Sequence, residues 1–129
     1  MPEPLVVMEK LVKQFPVRGG VFQREIATVN AVSGVDLTVN RGETVGLVGE
    51  SGCGKTTLGR MLVRLLEPTS GKITFDGTDI THLKGSELKP FRSRAQIVFQ
   101  DPYSSLDPRT QVGNSISEGL RIHGVSSKD

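Results

Sequence analysis

The sequence predicts an α/β fold with a small antiparallel β subdomain in front of it. Three observations predict this. An apolar run, Thr44-Val45-Gly46-Leu47-Val48, leads directly into Gly49-Glu50-Ser51-Gly52-Cys53-Gly54-Lys55-Thr56-Thr57. Behind it Leu58, Met61, Leu62, Leu65 and Leu66 recur at i, i+3, i+4, i+7 and i+8, the spacing of an amphipathic helix. Ahead of it, short apolar segments alternate with turn residues, the pattern of a small antiparallel sheet.

The elements follow in order. Leu5-Val6-Val7-Met8 and Leu11-Val12 predict a first strand running up to Phe15. Pro16 to Gln23 carries Pro, Gly-Gly and Arg and reads as a loop or hairpin tip. Ile26 to Val32 is a second strand candidate, and Val35-Asp36-Leu37-Thr38-Val39 alternates as a half-buried strand does. Asn40-Arg41-Gly42-Glu43 turns the chain into the strand at Thr44, which is apolar throughout and so reads as buried. After the helix, Glu67-Pro68-Thr69-Ser70-Gly71 is a stop signal. Lys72-Ile73-Thr74-Phe75 is a short strand, Asp76-Gly77 a tight turn, and Thr78-Asp79-Ile80 the return. Ser86 to Phe91 suggests a short helix broken at Pro90. Gln96-Ile97-Val98-Phe99 is an apolar strand ending at Gln100. From Asp101 the prolines and serines make an irregular loop. Val112 to His123 starts another helix, with Val112, Ile116, Leu120 and Ile122 towards one side.

Composition narrows the function. The 129 residues suffice for one domain with a core, and 36% hydrophobic with 23% charged residues is an ordinary balance. A net charge of +2 without a basic run does not argue for nucleic acid. No stretch has the length of a membrane span, and the N-terminus lacks a signal-peptide pattern. One cysteine cannot form an internal disulfide, which fits a reducing compartment. No Cys/His cluster has metal-ligand spacing, and His82 and His123 stand alone, as surface or packing residues do.

The glycine loop carries the chemistry. Gly49, Gly52 and Gly54 can adopt positive φ and let the backbone approach phosphate, where a side chain would clash. Lys55 has three donors on a flexible stem and reaches β- and γ-phosphates. Thr56 supplies a hydroxyl for Mg²⁺. Backbone N–H groups of the loop and the positive end of the helix favour anions. The pattern alone can arise by chance as a glycine-rich turn; the strand before it and the helix after it argue for a nucleotide site. A hydrogen bond to a charged group contributes roughly 1.5–3 kcal/mol, so losing Lys55 is expected to weaken binding by about one to two powers of ten.

Three blocks together resemble the ATP-binding subunit of ABC transporters. They are Gly49 to Thr57, which is that family's Walker A loop; Glu67 to Gly77, similar to the hairpin after the Walker A helix; and Ile97-Val98-Phe99-Gln100-Asp101-Pro102-Tyr103-Ser104-Ser105-Leu106-Asp107-Pro108-Arg109, similar to the Q-loop. The wording of the third block, and the Pro16–Thr28 insertion, resemble the oligopeptide/dipeptide importer branch. The resemblance implies a P-loop NTPase fold with a RecA-like core and an N-terminal antiparallel β subdomain, truncated before the signature motif and Walker B. Residues 1–43 would form the β subdomain, 44–100 the core through the Q-loop, and 101–129 the start of the helical subdomain.

The resemblance further implies ATP and Mg²⁺ as ligands. Gly49, Glu50, Ser51, Gly52, Cys53, Gly54, Lys55, Thr56 and Thr57 would hold phosphate, Thr56 and Gln100 the metal, with Lys55 and Gln100 catalytic and Gln100 coupling the site to the transmembrane subunits. The other reading of Gln100 is a polar residue ending a strand. Phe15 matches the aromatic that stacks on adenine, and a core place in the first sheet is its other reading; Phe22 and Val17 are further candidates near the base. Implied partners are transmembrane permease subunits, a second ATPase subunit and, indirectly, a substrate-binding protein, at the cytoplasmic side of the inner membrane, in import of peptides.

The signature motif, the Walker B aspartate with its glutamate, the D-loop and the switch histidine have no counterpart in these residues. Asp76 and Asp101 follow apolar runs but read as turn residues, not as a Walker B acid. The chain alone is therefore expected to bind ATP with little or no hydrolysis, and to leave apolar strands such as Gln96–Phe99 exposed to aggregation. Two rivals stand beside this reading. One is another P-loop NTPase, such as a small kinase or GTPase, although no N-K-x-D or arginine-rich lid is present. The other is a non-hydrolysing fragment or interaction module.

Overall fold

A computed structural model describes residues 1–125. They form two compact units, Met1–Lys84 and a second beginning at Gly85.

The first unit is built on a long hairpin. Strand β1 (Pro4–Gly19) pairs antiparallel with β2 (Arg24–Asn40), and its other edge pairs with β3 (Ser70–Phe75), which pairs with the short β4 (Thr78–Asp79). The sheet order is β2-β1-β3-β4, antiparallel throughout. The two segments expected as separate strands between Ile26 and Val39 are thus one strand. The expected loop from Pro16 shrinks to a turn at residues 20–23, because Pro16 to Gly19 find partners in Thr28 to Arg24.

Alternation sets the core. Met8, Leu11 and Ile73 are fully buried, as are Met61 on the following helix and Ile80. Between Met8 and Leu11 the register slips, and Lys10 takes a left-handed φ of 47°. Its amide donates to the Asp36 carboxylate at 2.8 Å, which holds this unfavourable backbone in place. Gly71 (φ 92°) packs against the slip: a Cβ there would stand 2.5 Å from the Lys10 carbonyl oxygen. At the return from β3, buried Thr81 accepts from the Ile73 amide at 2.9 Å and donates to Asp79 Oδ1 at 2.5 Å. Those bonds from the Thr81 side chain and backbone hold the Asp79 carboxyl below the usual carboxylate range.

Helix α1 (Lys55–Leu62) is shorter than the leucine spacing predicts. Leu58 and Met61 are buried as expected, but Leu65 is half exposed. Arg64 explains the early end. It adopts a left-handed φ of 55°, and its buried guanidinium donates to the carbonyls of Ile80 (2.8 Å), Leu83 (2.9 Å) and Leu66 (3.1 Å). Charge-assisted bonds of this kind are strong enough to turn the chain out of the helix.

A further expectation fails in this unit. Thr44 to Val48 is not a strand, and Val45, Leu47 and Val48 are exposed, Val48 by 94%. A parallel-type strand is buried only when neighbours cover its edges and both faces. Among the described residues none pairs with this segment.

The second unit is mostly irregular. A 3₁₀ turn (Gly85–Leu88) runs into α2 (Lys89–Arg92). Pro90 sits in the first turn of α2, where its missing N–H is not needed, so it starts this helix and does not break it. Gln96–Phe99 forms no strand, and Val98 is 95% exposed. Helix α3 (Val112–Ile122) lies where the spacing predicts it, but none of its residues is buried. Residues 126–129, the end of the expected helical subdomain, lie outside the described residues. Among the described residues no helix is long and apolar enough to cross a membrane.

Candidate phosphate-binding site

The site forms where β2 slips register. Lys13 faces Val32 and Gln14 faces Asn30, so Ala31 is the extra residue of a bulge. The freed Ala31 carbonyl lies against Gly54, so closely that no Cβ fits there. Gly54, at a φ of 98°, is the N-cap of α1. Its side of the helix carries no side-chain cap, so the first-turn N–H groups have no partner within the helix and face outward as donors.

Gly49 to Thr57 wraps this helix end as a compact loop. The Cys53 amide donates to the Glu50 carbonyl at 3.2 Å, closing a turn through Ser51 and Gly52, and Gly52 takes a φ of 81°. The Lys55 ammonium reaches back across the loop to the carbonyls of Gly49 (2.5 Å) and Glu50 (2.8 Å), with Cys53 Sγ at 3.4 Å. A Cβ on Gly49 would stand 2.6 Å from Cys53 Sγ and 3.8 Å from Lys55 Nζ, so only glycine leaves this hollow open. Thr56 is exposed at the second helical position and Thr57 half-buried at the third.

A groove of about 400 Å³ opens beside the loop. Asn30, Ala31 and Val32 form one wall, Leu47 and Val48 another, and Cys53 to Lys55 the cationic end. Among the described residues none that lines it is acidic. The hollow at Gly49, the ammonium beside it, the uncapped helix end and the Thr56 hydroxyl together suit a magnesium-complexed polyphosphate.

The other expected residues fall as follows. Phe15 is on β1 opposite Val29, 37% exposed, and so is not a core residue. Register pairs share a face, and the slip at Ala31 puts Lys13, Phe15, Val29 and Val32 on one face; a Cβ on Gly54 would stand 3.5 Å from Val32 Cγ2. Val17 lies two residues further along that strand, 39% exposed. Phe22 is at the hairpin turn, with the Arg24 guanidinium 5.8 Å from its ring centre. Gln100 belongs to the second unit, exposed at a bend; Asp101 behind it accepts from the Tyr103 amide (2.9 Å) and the Ser105 hydroxyl (2.7 Å). His82 lies at the surface, 3.5 Å from Glu67. Reasoning from the sequence missed Arg64, the Ala31 bulge and Lys13. A positively charged residue between apolar neighbours, Val63 and Leu65, was the only signal for the first; Lys13, followed by Gln14, gave none.

Comparison with known proteins gives a consistent result. The family model described as ABC transporter matches residues 32–128. The chain is 50% identical over 118 residues to the probable peptide ABC transporter ATP-binding protein y4tS of Sinorhizobium fredii, covering 92% of this chain and 33% of that protein. It is 49% identical to the glutathione import ATP-binding protein GsiA of Salmonella paratyphi A (98% of this chain, 20% of the relative). It is 45% identical to the oligopeptide transport ATP-binding protein AppF of Bacillus subtilis (95% and 38%). The chain thus spans a fifth to two-fifths of the length of these relatives. Among solved structures, it superposes on the ATP-binding cassette MJ0796, a dimer in a post-hydrolysis state bound to ADP and Pi, with a TM-score of 0.78 at 24% identity, covering 97% of this chain and 50% of that one. At that identity the likeness speaks for the fold alone.

Proposed function

The chain belongs to the ABC transporter family, and from that premise we propose that Gly49 to Thr57 binds the phosphates of MgATP within the ATPase subunit of a peptide importer. The observation that carries the reading is Lys55 Nζ held over the loop beside the glycine hollow. Phosphoryl transfer to water is mostly positioning and charge stabilisation. Lys55 supplies a fixed positive charge for the β- and γ-oxygens, and the outward N–H groups of α1 supply donors without reorganising. The Thr56 hydroxyl would hold Mg²⁺, which would supply further charge neutralisation at the phosphates. Phe15 offers an exposed ring for adenine on the face that carries Val32. Gln100 is the residue we assign to metal contact and to coupling with the permease subunits. A second ATPase subunit and, indirectly, a substrate-binding protein complete the assembly, at the cytoplasmic side of the membrane.

The 129 residues are expected to bind nucleotide with little or no turnover, because among the described residues no carboxylate lines the groove to order or deprotonate water. The reading is tested by calorimetric titration of MgATP into the chain and into Lys55→Ala. Saturable binding, weakened about ten- to a hundredfold in the variant, is expected. Equal affinity in both would refute the site. Turnover in the purified chain that disappears with Lys55→Ala would refute the absence of hydrolysis.

A further inference from the structure

We propose that Lys13 is a positioning residue for the nucleotide base: it holds the Phe15 ring from one side and leaves the other side to stack. The inference rests on the reading of Phe15 as the adenine platform and adds the group that orients it. Lys13 is half-buried, and its ammonium lies 5.2 Å from the Phe15 ring centre, within the range where a cation is drawn to an aromatic face. The same ammonium donates to the Glu67 carbonyl at 2.8 Å. A second anchor keeps this arrangement rigid. The Gln14 amide donates to Thr69 Oγ1 at 2.9 Å, and the Thr69 amide donates to the Val12 carbonyl at 2.8 Å. Residues 12–14 of β1 are therefore tied at three successive positions to residues 67–69, the segment leaving the helix that begins in the phosphate loop.

An exposed phenylalanine on a strand would otherwise turn between rotamers and present its edge as often as its face. A cation fixed by a backbone carbonyl selects the orientation whose face meets the charge. The face turned away from the ammonium is the one this proposal assigns to the base. Lysine suits the task because one of its three donors serves the carbonyl while the charge serves the ring.

The test compares MgATP with magnesium tripolyphosphate, which has the phosphates but no base, on the full chain and its variants. Lys13→Met is expected to weaken MgATP about three- to tenfold and leave tripolyphosphate unchanged. Lys13→Arg, which keeps a charge able to lie on the ring, is expected to retain most of the MgATP affinity. Phe15→Ala should lose the base-dependent part, and adding Lys13→Met to it should change nothing further. Equal loss for both ligands in Lys13→Met would overturn the proposal, since the lysine would then serve phosphate or the fold. Unchanged MgATP affinity in Lys13→Met would also overturn it. Unchanged affinity in Phe15→Ala would overturn the platform reading itself, and the role of Lys13 with it.

Discussion

Lys72-Ile73-Thr74-Phe75 and Thr44-Val45-Gly46-Leu47-Val48 are both short apolar runs, and the second is the more apolar. Yet Ile73 is fully buried in a strand, while Val48 is 94% exposed in a segment without secondary structure. The difference lies outside the runs. Ile73 has β1 on one edge and β4 on the other, and Met8 opposite it on the same face. Thr44 to Val48 has no strand on either edge among the described residues. An apolar run states what a segment needs. Its neighbours decide whether the need is met, and the hydrophobic gain appears only once they cover it.

Substitutions can break or sharpen this contrast. The largest effect is expected at Gly71, where β3 meets the slip in β1. Gly71→Ala combines a left-handed φ with a Cβ driven into the backbone of residues 9–11, and should cost more than about 4 kcal/mol or abolish cooperative unfolding in urea. A direct comparison comes next: Ile73→Ala should cost about 2–5 kcal/mol, and Val48→Ala no more than about 0.5. Equal costs would mean that the exposed run is packed in solution, and the contrast would fall.

A smaller effect belongs to Thr81→Val. It leaves the Ile73 amide without an acceptor, at about 1–3 kcal/mol. It also removes the hydroxyl bond to Asp79, the larger of the two that lower its pKa, and leaves the one from the residue 81 backbone amide. A carboxyl held below its unfolded-state pKa adds stability above that pKa, and the addition fades as pH falls through the folded value. Thr81→Val should therefore flatten the acid side of the stability profile, measured by urea midpoints from neutral pH downward. An acid limb as steep as in the parent would show that Thr81 is not the cause. The smallest effect on stability, with the clearest effect on behaviour, is expected from Val48→Asp together with Val98→Asp. Both positions are open to solvent, so folding should be unaffected while self-association by light scattering falls.

Much of the first unit was legible in the residues. Alternation and turn dipeptides placed β1, β3, β4 and the turn at Asp76-Gly77, because each signal there is local and its partner lies close along the chain. The turn of Gly49 to Gly54 into a helix was legible for the same reason. What escaped was fixed by distant groups. Arg64 ends α1 through carbonyls as far along as Leu83, and the bulge at Ala31 is a property of how β2 lies on β1. The two apolar runs misled because periodicity says that a segment is buried without saying by what. Phe15 had two readings, and its 37% exposure on β1 speaks against the core one without testing the other.

The Ala31 carbonyl wedged against Gly54 makes the hairpin and the phosphate loop a single mechanical joint. At this point the loop lies so close to β2 that not even a Cβ fits between them. Any displacement that a ligand imposes on Gly54 must therefore travel into Ala31 and Val32 and along the long arm of β2. Slower amide hydrogen exchange on ligand binding further along β2, around residues 24–28, which do not line the groove, is how that transmission would be read.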